Sequence, residues 1–220
     1  MTPLFKKQIL LIFGLLALVF DSYGQLDTKH WIPPFYAKPG PGTNTSNIRK
    51  HFVSLSTPAT DTIQVSIRDG FGNLIDVVDI SRDMPVEYVF SPLGNANSDT
   101  YPLNVIPTDS LNMPIRSQGL YFESFQPFFV NMRHKSGSQG TSLTSKGQVG
   151  LGQRFYSGHI YTIYNTSGSA SDWNNERRSH FISVMATEDN TTVTFDLVKD
   201  PIAFIGHSAG EEITITLDAF

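Results

Sequence analysis

Two stretches of this 220-residue chain are versions of one another, and a repeated strand–turn–strand unit restricts a chain to few architectures. His51-Phe52-Val53-Ser54-Leu55-Ser56-Thr57 returns as His180-Phe181-Ile182-Ser183-Val184-Met185-Ala186, at an offset of 180 − 51 = 129. Arg49 and Arg178 precede the two copies at that same offset. After a one-residue gap, Thr62-Ile63-Gln64-Val65-Ser66-Ile67 aligns with Asn190-Thr191-Thr192-Val193-Thr194-Phe195. Each copy reads as an alternating strand, a polar turn and a second alternating strand. The expectation is an all-β fold of repeated antiparallel strand units, propeller-like, with a β-sandwich as the alternative.

The same period-two pattern predicts further strands over 74–80, 85–90, 102–106, 119–124, 127–133, 155–164, 201–205 and 211–217. Asp69-Gly70-Phe71-Gly72-Asn73 has the composition of a hairpin turn between two of them. Residues 135–152 are rich in Gly, Ser, Thr and Gln and read as a long loop, and 166–177 as another. Nowhere does a helical stripe of useful length occur.

The chain opens with Lys6 and Lys7, an apolar run from Ile9 to Phe20, and the small residues of Ser22-Tyr23-Gly24. That is the layout of a secretory signal peptide over residues 1–24, with Gln25 as the mature N-terminus. The run is short for a bilayer span, which needs about 20 residues. Export through this segment is the only membrane association expected. Residues 25–47 form an extended leading segment broken by Pro33-Pro34 and by the turn-rich Pro39 to Gly42. The repeat domain follows over 48–220. Its last strand pattern, Glu211 to Leu217, reads as an uncovered edge, so the domain is expected to be truncated and to front a longer protein.

Composition removes several function classes. The chain has no cysteine, hence no thiolate for zinc, iron–sulfur or nucleophilic chemistry and no disulfide framework. Its net charge of −4 argues against non-specific nucleic-acid binding. His51 and His180 share a repeat position, which accounts for both without a metal. His30, His134, His159 and His207 show no ligand spacing. No cofactor or metal is expected.

Gly206-His207-Ser208-Ala209-Gly210 fits the G-x-S-x-G pattern of a serine-hydrolase elbow. A helix should then follow, yet Glu211 to Leu217 alternates like a strand, and no histidine lies beyond His207. A hairpin turn fits better. The carboxylates are scattered, and nothing marks a glycosidase pair. Glu188-Asp189-Asn190 lacks the spaced ligands of a calcium loop and reads as a turn. Aromatic residues are the better functional hint, because an exposed ring can stack on a sugar or fill a partner's pocket. Trp31 and Trp173 lie in loop-like segments and are the candidate ligand-binding residues.

Phe181 to Phe195, FISVMATEDNTTVTF, and Gly210 to Phe220, GEEITITLDAF, resemble the IgGFc-binding protein N-terminal domain family. Gly119 to Val130 is similar to another element of that family, with Gln126 where a Lys is usual. His30-Trp31-Ile32-Pro33-Pro34 looks like the opening of large surface proteins of gliding Bacteroidetes that carry the domain. The resemblance spans about 28–220. It implies a non-catalytic adhesion or binding module, secreted or at the outer cell surface, taking a glycan or protein ligand. A secreted polysaccharide- or ester-hydrolysing enzyme and a purely structural spacer are the competing readings.

Overall fold

The computed structural model describes residues 25–36, 48–90, 103–106, 112–116, 118–136, 139–157, 181–196, 206–208 and 210–219. The predicted signal peptide, Trp173, His159, His180, the loop over 166–177 and the candidate strand over 201–205 lie outside them, as does most of 155–164. Among the described residues the regular structure is strand, apart from one short 3-10 turn over Gly147–Gly150.

The strands are β1 (Asp27–Ile32), β2 (Phe35–Tyr36), β3 (Ile48–Ser56), β4 (Ile63–Asp69), β5 (Leu74–Ile80) and β6 (Val86–Val89). They continue with β7 (Val105–Ile106), β8 (Leu120–Ser136), β9 (Gln139–Thr144), β10 (Thr191–Phe195) and β11 (Ile213–Leu217). Seven of them form one sheet that curls into half a barrel around β8. The all-β expectation holds. β10 and β11 make a separate antiparallel pair, and β2 and β7 a short parallel one.

β8 organises the sheet because its alternation never slips. Leu120, Phe122, Phe128, Val130, Met132 and His134 are all buried, while the odd positions Arg133 and Lys135 face solvent. Its first part pairs with β1 and β4, its last part with β3 and β9. Two separate strands are predicted here, 119–124 and 127–133, the second starting at Pro127. Instead one strand of 17 residues runs through both. Proline interrupts a ladder only where its missing N–H is needed. Pro127 sits in a gap: β4 pairs no further than Glu123, and β3 begins at Phe129. The Pro127 carbonyl accepts a hydrogen bond from Thr57 Oγ1 at 2.8 Å instead.

Ile63, Val65 and Ile67 of β4, Val53 and Leu55 of β3, and Ile32 of β1 meet the inner residues of β8 in one core. The β4–β5 hairpin closes through the predicted turn. Asp69 Oδ1 accepts from the backbone N–H groups of Phe71 and Asn73, each at 2.9 Å, and Gly72 takes the positive φ of 80°. β3 and β4 are the two strands of the first repeat copy. They do not pair with each other; both pair with β8.

Three local readings change. Residues 139–144, predicted as loop, form the edge strand β9 on β8. Leu143 is its one large apolar side chain, packed against the core, so no alternation of hydrophobicity announces it, and Asn131 Nδ2 binds Ser142 Oγ and Thr144 Oγ1 across the ladder. Residues 27–32 form β1, an integral strand of the sheet. In the second repeat copy, Thr191–Phe195 is a strand as predicted, whereas 181–186 carries no regular structure.

Candidate functional site

The outer face of the sheet beside β1 carries the predicted aromatic. Odd-numbered residues of β1 and β8 point away from the core, which stacks them in cross-strand pairs: Trp31 opposite Tyr121 and Lys29 opposite Glu123. The Trp31 and Tyr121 rings lie 5.4 Å apart at 40°, and Lys29 Nζ lies 3.4 Å from Glu123 Oε1. Burial and the neighbouring Glu123 push the Tyr121 hydroxyl up, so it stays protonated. Two residues along β8, Phe125 is 72 % exposed. Along this line Tyr121 is buried, Trp31 is half-buried and Phe125 is exposed, with one ion pair beside them.

Trp31 therefore stands on a strand and not in a loop. It is half-buried, and its indole Nε1 is sealed without a hydrogen-bond partner among the described residues. The ring that reaches solvent is Phe125. Only the strand register puts Phe125 on this face; no local sequence pattern singles it out. A second exposed apolar stretch begins in the 3-10 turn with Val149 and continues past it with Phe155 and Tyr156, the last 87 % exposed, with the Arg154 guanidinium 5.6 Å from the Tyr156 ring centre.

Inside the half-barrel His51 meets another histidine, while its repeat partner His180 lies outside the described residues. His51 on β3 lies directly across the ladder from His134 on β8, with their Nδ1 atoms 3.2 Å apart. His51 Nε2 donates to the Leu103 carbonyl at 2.9 Å. With one proton on each neutral ring, His51 Nδ1 must accept and His134 Nδ1–H must donate. Phe35 and Phe90 close around the pair. Burial, reinforced by His134, pulls His51 down to about 4 despite the Leu103 hydrogen bond; burial lowers His134 as well. His30 follows the same logic on β1. Its Nε2 donates to the Phe128 carbonyl at 2.8 Å, and burial holds its pKa below the usual range. These are neutral core rings; His30 and His51 satisfy backbone carbonyls, and His134 satisfies His51. No group of three or more metal-ligating side chains occurs among the described residues.

The two loop motifs are turns. At 206–211, Glu211 Oε2 accepts from the Ser208 backbone N–H at 2.8 Å and Oε1 lies 3.1 Å from His207 Nδ1. The Ser208 amide and His207 together hold the Glu211 carboxyl below its usual range. β11 follows directly, with no helix to aim the serine. At 188–190, Thr191 Oγ1 donates to the Glu188 carbonyl at 2.6 Å, Asn190 adopts φ 57°, and Asp189 Oδ1 accepts from the Ala219 N–H. The Asp189 carboxylate oxygen is thereby engaged by the backbone.

No curated protein and no solved structure matches the chain. The resemblance read from 181–195 and 210–220 is matched by a family model: residues 140–220, which hold β9, the exposed stretch around Tyr156 and the β10–β11 pair, are similar to the family described as IgGFc binding protein.

Proposed function

We propose that the chain is a non-catalytic binding module that works outside the cell, at the front of a longer cell-surface protein. The similarity of residues 140–220 to a family described by what it binds carries this reading. Repetition of the strand unit supports blade-like units in that longer protein, and the opening segment supports export. The ligand is a protein or glycan that meets the outer face of the sheet through Phe125, with Trp31 and Tyr121 behind it. A relation to gliding-bacterium surface proteins is part of the same proposal.

Binding of the intact chain to immobilised immunoglobulin Fc and to mucin tests the ligand class, and protease shaving of intact cells tests the location. Saturable binding weakened by Phe125→Asp, together with a shaved surface band, supports the module. A folded chain that binds neither probe and stays protected inside the cell rules it out.

A further inference from the structure

The buried histidine pair joins two parts of the fold. β2 and β7 form a parallel pair of their own, with Phe35 opposite Val105 and Tyr36 opposite Ile106, and the Phe35 N–H donates to the Asn104 carbonyl at 2.8 Å. Through Phe35 and Leu103 this pair lies on His51 and His134 as a cover. The Phe35 ring stacks on His134, 6.1 Å between centres at 13°, and stands edge-on to His51 at 6.2 Å and 89°. Phe35, Val105 and both histidines are buried. Side chains tie the cover down at two places among the described residues. Asn104 Nδ2 donates to the Ile32 and Gln118 carbonyls, at 3.2 and 3.0 Å. His51 Nε2 donates to the Leu103 carbonyl.

Acid acts on these two places differently. The Asn104 amide gains no proton. Both nitrogens of the His51 ring are engaged, Nε2–H by Leu103 and Nδ1 by the His134 N–H across 3.2 Å. A first proton can sit on His134 Nε2 and leave that contact whole. A proton on His51 Nδ1 cannot, because two N–H groups would then point at each other between apolar rings. The His51 ring must turn out of the pair, and turning takes its Nε2–H away from Leu103. From β2 and residue 90 the pair is faced by the Phe35 and Phe90 rings, and from β9 by Thr141. The titratable groups here are the two rings, with the Tyr88 hydroxyl and its partner Asp76 beyond Phe90.

We infer that the His51–His134 pair is an acid-released clasp: when His51 takes up a proton, the cover made by Phe35–Tyr36 and Leu103–Ile106 lifts at Leu103 while the seven-stranded sheet stays paired. A lifted pair of two-residue strands does not hold its order in water. The apolar rings of Phe35 and Phe90, shut in at neutral pH, then reach solvent. The clasp is independent of what the outer face binds.

Hydrogen exchange of the intact chain at pH 7 and pH 5, corrected for the intrinsic rate at each pH, is the test. The closed fold holds the His51 pKa at about 4, against about 6.5 for a free ring, so a fall in pH favours the open cover. Opening should grow on the order of twentyfold between the two conditions. The increase should appear at Phe35–Tyr36 and Val105–Ile106 and not at 130–132 in β8. His51→Gln keeps an amide N–H for Leu103 and takes up no proton, so the increase should vanish. If circular dichroism shows that variant unfolded at pH 7, His134→Gln takes its place. Its amide still donates to His51 Nδ1 while its charge is gone, so opening should move to higher pH. An increase that reaches 130–132 equally is unfolding of the whole sheet and overturns the clasp. So does a cover unchanged between pH 7 and pH 5, or a folded variant that responds as the wild type does.

Discussion

Single side chains set how this fold responds to acid. His51 is held neutral, with its pKa pulled to about 4 by burial and by His134. The unfolded chain protonates the same ring near 6.5. Between those two values the unfolded state binds more protons than the folded one, so stability is full above about 6.5 and falls as pH drops toward 4. The thermal midpoint should therefore decline through this window, and His51→Gln should flatten the decline. A midpoint independent of pH from 7 to 4 would mean the ring is not buried as described. Asp69 is simpler. Its carboxylate accepts two backbone N–H groups and the Asn73 amide at an exposed turn. Asp69→Ala should cost about 1 kcal/mol in denaturant unfolding. The turn was readable from Asp69-Gly70-Phe71-Gly72-Asn73. The His51–His134 contact was not, because it depends on the register of strands 83 residues apart.

At the scale of elements, alternation was the dependable guide. β5 occupies the predicted 74–80, and β3, β4, β6, β10 and β11 lie within a few residues of their predicted spans. Each has an apolar face, so the period shows. β9 has only Leu143 on its inner side, too little to show a period; Gln139-Gly140-Thr141-Ser142-Leu143-Thr144 becomes a strand because β8 offers it an edge. β1 was hidden by the prolines after it, although Pro33 and Pro34 only end the strand. Tertiary contacts then fix its start. Asp27 Oδ2 accepts from the Gln148 backbone N–H at 2.7 Å, and Oδ1 from Gln148 Nε2 at 2.9 Å. Burial alone would raise the Asp27 carboxyl, but these bonds hold it below its usual range. Gly147 makes the approach possible: its φ is 60°, and an added Cβ would collide with the Asp27 side chain. Gly147→Ala should destabilise the fold by roughly 1–3 kcal/mol, and Asp27→Asn should weaken the same latch by less. Equal midpoints for wild type and Gly147→Ala would show that the latch does not contribute.

For the whole molecule, the sequence resemblance and the family match meet in residues 140–220, while the described core is built mostly from residues before 140. The candidate surface follows that division: Phe125 and Trp31 belong to the seven-stranded sheet, and the β10–β11 pair belongs to the matched part. Trp31 was found from its residue type, but its half-burial came from Tyr121 across the ladder, which no local pattern reveals. Met132 sits where the strands converge on β8 and is wholly buried; Met132→Ala should cost about 2–5 kcal/mol and lower the unfolding midpoint in a single transition. Two separate transitions would show that the parts of the sheet on either half of β8 melt independently.

The long strand also sets a clock. β8 is the shared partner of β1, β3, β4 and β9, so its own pairings reach from residue 27 to residue 144. A growing chain that has delivered β1, β3 and β4 still holds strands with no central partner. Contacts this distant in sequence form slowly. The sheet can close only after the whole stretch has emerged; until then β4 can pair with β5 and β3 with β6, but the two pairs stay unjoined.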